Sequence, residues 1–232
     1  MQKTIGALLV IFALVFTACD DKDSKEAREY EVQKALDKGN YEKVLSMTNS
    51  CGSDEKCLMD RAAAYAGMAG FTVADIIVSL DKDSDDEFYK SLKGTSTANK
   101  DLNDSKNTYE RVITRGGNRD RVCEKDTNEY KKASYYQQAS CFPHGMVVMA
   151  RSAVLMNGLL DKYDINGTIN IDTSDPDLNE IADLINNDLE TILNLFGADN
   201  ADTVQEVEKF KLEVCGGSPC TVDKLKTYLE TH

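Results

Sequence analysis

The sequence predicts an all-α protein whose helices are joined by disulfide bonds. Apolar residues recur at i, i+3, i+4 and i+7 along most of the chain, which is the pattern of helices that each bury one face. Glycines punctuate these stretches at intervals typical of helix ends. Six cysteines fall into three pairs that are close in sequence. The chain of 232 residues is long enough for one large domain, which we place at residues 25–232.

The first element is an apolar segment at the N-terminus. Lys3 precedes a run of apolar and small residues from Ile5 to Phe16. A transmembrane helix needs about 20 apolar residues, so this run is too short to span a bilayer. Its length and its positive start are typical of a secretory signal peptide.

The segment ends at a cysteine that carries a specific resemblance. Val15-Phe16-Thr17-Ala18-Cys19 resembles the lipobox of bacterial lipoproteins, although Phe16 replaces the usual aliphatic residue. The resemblance implies that residues 1–18 are cleaved and that the Cys19 sulfur carries a diacylglycerol with fatty acids such as palmitate. Residues 19–24 then form a polar tether, and the protein is held on a membrane of the bacterial cell envelope, inner or outer, facing the periplasm or the exterior. The alternatives are an uncleaved anchor and a plainly secreted protein.

The composition limits the classes of partner. The chain has 40 acidic and 27 basic residues and a net charge of −13. Nucleic-acid binding depends on neutralising phosphates with Lys and Arg, so we expect no nucleic-acid partner. No phosphate-binding loop, serine elbow, metal-binding helix or dinucleotide fingerprint occurs, and we therefore predict no enzyme activity, no cofactor and no metal.

The remaining cysteines are expected to form bridges, because export places them in an oxidising compartment. Their proximity predicts the pairs Cys51–Cys57, Cys123–Cys141 and Cys215–Cys220. Zinc is the alternative, but the spacings are not paired C-x-x-C motifs, and the only histidines are His144 and His232.

The helices follow in order from apolar spacing and breakers. Asp37-Lys38-Gly39-Asn40 predicts a turn between two helices, and Gly70 ends the next one. The strongly apolar stretch Gly145–Leu160 predicts the central buried helix. The other predicted helices cover 72–80, 88–92, 101–114, 124–140, 178–196, 203–214 and 221–229, with a loop at 94–99 and a hairpin or irregular loop at 164–177.

Residues 25–80 resemble tetratricopeptide-type helical hairpins. In both units a glycine turn is followed by an aromatic residue, at Gly39-Asn40-Tyr41 and at Gly70-Phe71, and the two glycines are about 31 residues apart, near the family period of about 34. The family tryptophan is absent. The resemblance implies a concave surface that binds a protein or peptide. Similar envelope lipoproteins include helical components of solute transporters, so the alternative is a solute pocket, which we place near Tyr65, Phe71, Met149 and Met156.

Three short motifs are candidate sites. DINGTINID misses the first and last ligands of a calcium-binding loop, since Lys162 and Thr173 occupy those positions; a looser cation site at Asp164, Asn166, Asp172 and Asp175 competes with a simple polar turn. RVITRGGNRDR carries Arg111, Arg115, Arg119 and Arg121, which form an anion or acidic-partner site or else pair with nearby acids. Cys141 and His144 suggest a thiol nucleophile unless Cys141 is oxidised.

Overall fold

The computed structural model describes residues 24–72, 96–116, 118–165, 168–189, 201–217 and 219–231. The predicted signal peptide, Cys19 with its predicted lipid and most of the predicted tether lie outside these residues, as do residues 73–80 of the helix predicted at 72–80 and the helix predicted at 88–92. Within the described part, no helix combines the length and the apolar character that crossing a bilayer requires. The elements are α1 (Lys25–Asp37), α2 (Tyr41–Met47), α3 (Glu55–Met68), α4 (Ser96–Ile113), a 3₁₀ turn (Thr114–Gly116), α5 (Arg119–Val122), α6 (Asn128–Lys132), α7 (Tyr135–Tyr163), β1 (Asp164–Ile165), β2 (Thr168–Ile169), α8 (Pro176–Asp183), a π-helical turn (Leu184–Asp188), α9 (Ala201–Cys215) and α10 (Val222–Thr231).

Helices α1, α2 and α3 form an N-terminal unit with its own small core. Val32, Ala35, Val44 and Ala64 are buried together there. Gly39 ends the first hairpin helix with a φ of 67°, a left-handed conformation that glycine adopts without a steric penalty. The predicted turn at residues 37–40 is therefore confirmed, whereas the second hairpin cannot be followed because its return helix lies outside the described residues.

The main core forms around α7, which packs against α4, α8 and the π-helical turn. Met146, Met149, Met156 and Leu159 on α7 are fully buried, as the sequence predicted for a central helix. Helix α4 lies between α3 and α7 and is tied to α3 by the Ser105 hydroxyl, which donates a 2.8 Å hydrogen bond to the carbonyl of Ala62.

Helix α7 is longer than the sequence indicated. Ser134 caps it in a capping box with Gln137, and the helix then runs for 29 residues through Pro143. The gap between the helices predicted at 124–140 and 145–160 is therefore helical too, because the segments on both sides of Pro143 bury apolar residues on the same helix and this burial outweighs the cost of an internal proline. The prediction of a single helix at 124–140 is wrong. This range contains α6, a break at Ala133–Ser134 and the first residues of α7.

The loop predicted at 94–99 is wrong over its last four residues. Residues 96–99 are helical, because α4 starts at Ser96 and buries Ala98 against the main core. Asp164 pairs with Ile169 and Ile165 with Thr168, so the hairpin alternative at 164–169 is confirmed. The helix predicted at 178–196 starts at Pro176 and changes to a π-helical turn at Leu184; residues 190–196 are not described.

All three predicted disulfides are formed. The bridges are Cys51–Cys57, Cys123–Cys141 and Cys215–Cys220. Together with the predominance of helix, they confirm an all-α fold stapled by disulfides.

Candidate binding clefts

A first cleft, the N-terminal cleft, lies between α1, the segment after α2 and the start of α3. It encloses about 380 Å³. Val32 and the Cys51–Cys57 bridge supply its apolar walls, and charged side chains surround them. The lining residues are Lys25, Arg28, Glu29, Val32, Thr48, Ser50, Cys51, Asp54, Cys57 and Asp60.

The charges of the N-terminal cleft are mostly paired. Lys25 lies 2.9 Å from Asp54, and the Arg28 guanidinium donates to the carbonyl of Met47. A hydrogen bond from the Cys57 backbone N–H, together with Lys25, lowers the pKa of the Asp54 carboxyl. Burial raises the pKa of Asp60, and its 2.9 Å pair with Lys56 only partly offsets that effect. The cleft therefore offers an apolar patch bordered by charges that are already held in place.

A second cleft, the charged cleft, lies between α4, α7 and α8 and encloses about 720 Å³. One wall is the π-helical turn, an irregularity that is frequent at functional sites. The lining residues are Lys106, Arg119, Arg151, Pro176, Asn179, Glu180, Asp183, Leu184, Asn187 and Asp188.

The inner wall of the charged cleft is a network of ion pairs. The buried Asp188 carboxylate accepts from Arg119 and lies 3.3 Å from Lys106. The same two cations reach Glu110, at 3.0 Å from Lys106 and 2.9 Å from Arg119. Burial alone would raise the pKa of Glu110, but its interactions with His144 and Lys106 prevail and lower it to about 2. Glu110 is therefore a carboxylate throughout the neutral and mildly acidic range.

Two polar side chains lie behind this network without hydrogen bonds. The Ser140 hydroxyl and both ring nitrogens of His144 are buried and have no hydrogen-bond partner within the described part of the chain. His144 Nε2 is 3.5 Å from Oε1 of Glu110, beyond good hydrogen-bond geometry.

The four arginines of RVITRGGNRDR do not converge on one site. Arg119 binds Glu110, Asp188 and the Asn187 carbonyl, and Arg121 lies 3.1 Å from Glu129. Arg115 donates to the Ser53 carbonyl, and Arg111 is exposed on α4. Arg119 and Arg121 therefore agree with the alternative interpretation of this motif, in which its arginines pair with nearby acids.

The residues expected to line a solute pocket lie apart from both clefts. Phe71, Met149 and Met156 are buried in the main core, where they fill space between helices. Tyr65 is half-buried and accepts a 2.8 Å hydrogen bond from Arg61. A pocket formed by these four residues remains a prediction.

The other two motifs are also engaged in structural contacts. Asp175 accepts from Lys162 at 2.6 Å and from the Tyr163 hydroxyl at 2.7 Å, and Asp172 accepts from the backbone and hydroxyl of Ser174. Asn166 lies outside the described residues, and no group of three possible metal ligands occurs within them. Cys141 is oxidised, so it has no thiol to act as a nucleophile beside His144.

Comparison of the chain with protein-family models, with curated proteins and with solved structures found no match. The clefts therefore have to be interpreted from their own chemistry.

Sequence reasoning missed Lys106, Arg151 and Asp188, which are far apart in sequence and meet only through packing. The N-terminal cleft was only partly predictable. The sequence predicted the Cys51–Cys57 disulfide, whose loop forms one wall, but not the cleft itself.

Proposed function

We propose that this protein is a membrane-anchored bacterial envelope lipoprotein that binds a protein or peptide partner through the N-terminal cleft. The observation that carries the proposal is the place of the cleft in the chain. Lys25 lines it and is also the first residue of α1, directly after the predicted tether. The six Cα–Cα steps from Cys19 to Lys25 extend at most about 20 Å, so an anchored chain would hold the cleft close to the bilayer.

The chemistry of the cleft fits a peptide segment. Binding surfaces combine an apolar centre with a polar rim, and here Val32 and the disulfide form the centre while Lys25, Glu29 and Asp54 form the rim. A volume of about 380 Å³ is at the small end of ligand sites, and it suits a few side chains of a larger partner.

The partner proposal can be tested by site-specific photo-crosslinking in intact envelopes. A crosslinking amino acid at Ser50, which is exposed and lines the cleft, should give a discrete protein adduct. The matched control is Lys38, which is exposed at the opposite end of α1. An adduct of the same mass and yield at both positions, or none at Ser50, would contradict the proposal.

The anchor has a separate test. Mass spectrometry of the purified mature protein should show an N-terminal Cys19 carrying a diacylglycerol, and Cys19→Ala should move the protein out of the membrane fraction. A retained Met1 or an unmodified Cys19 would refute the anchor while leaving the cleft proposal to be judged by the crosslinks.

The charged cleft supports a second candidate function, the binding of a small solute that carries a carboxylate. Its volume of about 720 Å³ lies within the range of small-molecule sites, and it is lined by three cations, Lys106, Arg119 and Arg151, and by three carboxylates, Glu180, Asp183 and Asp188. Arg151 pairs with the half-buried Glu180 and with Asn99, so a carboxylate ligand would replace Glu180 as the partner. Calorimetric titration with simple dicarboxylates should detect binding that Arg151→Gln abolishes; equal heats for both proteins would exclude this site.

A further inference from the structure

The three disulfides differ in how far an external thiol can approach them. Cys123 and Cys141 are both 0% exposed, and Cys215 and Cys220 are 1% and 4% exposed, within apolar clusters. Cys51 and Cys57 are half-buried and form part of the wall of the N-terminal cleft. Exchange requires a thiolate to reach one sulfur of the bridge. Of these three bridges, Cys51–Cys57 is therefore the one that a thiol held in a cleft can attack.

The two sulfurs of this bridge are not equivalent. Cys57 is the third residue of the 14-residue helix α3, where the positive end of the helix favours a thiolate. Three carboxylates of the cleft would oppose that charge, but each has a cation beside it. Lys25 lies 2.9 Å from Asp54, and Lys56 lies 2.9 Å from Asp60 and 3.8 Å from Glu29. By contrast, the Cys51 Sγ lies 3.0 Å from the carbonyl oxygen of Thr48. That oxygen would repel a thiolate at Cys51 and would accept a hydrogen bond from a thiol there.

We propose that Cys51–Cys57 is a thiol–disulfide exchange site whose substrate is a thiol or dithiol bound in the N-terminal cleft. The incoming thiolate attacks the Sγ of Cys51, the bond between Cys51 and Cys57 breaks, and Cys57 leaves as the thiolate. With a single thiol, the product is a mixed disulfide on Cys51 and a free thiolate at Cys57.

A dithiol substrate completes the reaction. Its second thiol loses a proton to solvent and attacks its own sulfur in the mixed disulfide, which expels Cys51. The Cys51 thiolate takes up a proton from solvent, and the resulting S–H donates a hydrogen bond to the Thr48 carbonyl, whereas Cys57 is protonated according to the pH. The dithiol has been oxidised to a disulfide, and its two electrons reside on the reduced Cys51 and Cys57.

The exchange reaction at Cys51–Cys57 depends on the shape and charges of the N-terminal cleft, and it does not require that a protein partner binds there. The two proposals therefore fail separately. Loss of the Ser50 crosslink would leave the exchange chemistry intact, and an inert disulfide would leave the crosslink intact.

The first experiment compares the rates at which the three bridges of the folded protein are reduced. Full-length oxidised protein is treated with limiting dithiothreitol at neutral pH, trapped with iodoacetamide and mapped by mass spectrometry. Cys51 and Cys57 should be labelled at least tenfold faster than the other four cysteines. In guanidinium chloride the difference should shrink to a fewfold, because unfolding exposes all three bridges. Equal rates in the folded protein, or faster labelling of another pair, would overturn the proposal.

The second experiment tests which sulfur is attacked, using matched single variants. Cys51→Ser leaves Cys57 as a free thiol, and Cys57→Ser leaves Cys51. The pH dependence of alkylation should give a midpoint below the ordinary thiol value of about 8.5 for Cys57 and above it for Cys51. The reverse order would contradict attack at Cys51. Circular dichroism confirms that each variant is folded, and the wild-type labelling stands without either variant.

Discussion

Gly67 is the position where one added methyl group tests the packing of the N-terminal unit. It lies inside α3 and is buried, and the ring of Tyr41 from α2 rests directly on it. A Cβ built at residue 67 would lie 2.6 Å from Cε2 of Tyr41 and closer still to Cε1 and Cζ. Such contacts do not occur between real atoms, so Gly67→Ala must displace the ring.

Two opposing terms determine the change in the free energy of unfolding. Replacing glycine by alanine inside a helix normally stabilises by about 1 kcal/mol. Overpacking usually costs about 1–3 kcal/mol, and here the half-buried Tyr41 ring would also lose contact with the small core beneath it. We expect Gly67→Ala to destabilise the protein by about 1 kcal/mol, which for a chain of this size lowers Tm by about 2–4 °C.

A double-mutant cycle with Tyr41→Ala isolates the contact. Without the ring, Gly67→Ala should stabilise the protein by about 1 kcal/mol, so the coupling between the two positions is about 2 kcal/mol. Gly158→Ala on α7 is the matched control, because a Cβ there meets nothing within 4 Å and should stabilise by about 1 kcal/mol in either background. Urea unfolding of each variant measures these values.

Equal stabilisation of the wild-type protein and of the Tyr41→Ala variant by Gly67→Ala would refute the predicted clash between residue 67 and the Tyr41 ring. That result would mean that the Tyr41 ring moves aside at no cost and that the close approach of α2 to α3 is not fixed by this pair.

Three further predictions concern Glu110 beside the charged cleft, the hydrogen bond between α4 and α3, and the buried Cys123–Cys141 bridge. The lowered pKa of Glu110 means that its charge stabilises the fold above the unfolded value of about 4.3 and that this contribution is lost as the pH falls toward about 2; Glu110→Gln should flatten the pH dependence of urea unfolding within that window. Ser105→Ala removes the hydrogen bond to the Ala62 carbonyl and should cost about 1–2 kcal/mol in the same assay, whereas an unchanged midpoint would show that the bond contributes nothing. Replacing both Cys123 and Cys141 by alanine should cost about 2–5 kcal/mol, and a smaller loss in Tm than for the Cys51 and Cys57 double variant would contradict the burial argument.

Sequence reasoning recovered the features that depend on neighbours in the chain. The buried face of Gly145–Leu160 is visible in its apolar spacing, and each disulfide partner is the nearest cysteine. The turn at Gly39 was likewise visible, because a local conformation required a particular residue there.

The features that were missed depend on packing between distant segments. The sequence predicted separate helices at 124–140 and 145–160, on either side of Pro143, yet one helix continues through the proline because residues on both sides are buried in one core. Ser96, Thr97 and Asn99 have weak helical propensity, yet α4 includes them and buries Ala98. Arg119 and Asp188 are 69 positions apart, so no spacing rule could place them in contact.

The order of the three disulfides has a consequence for how the chain reaches its oxidised state. From Cys51 onward, the six cysteines are bonded in consecutive pairs, across separations of 6, 18 and 5 residues, and none of these bridges encloses another. A chain that enters an oxidising compartment with its N-terminus first therefore presents each correct partner before any competing cysteine of a later pair. Of the fifteen pairings that six cysteines permit, joining each cysteine to the next one in order of arrival gives this one.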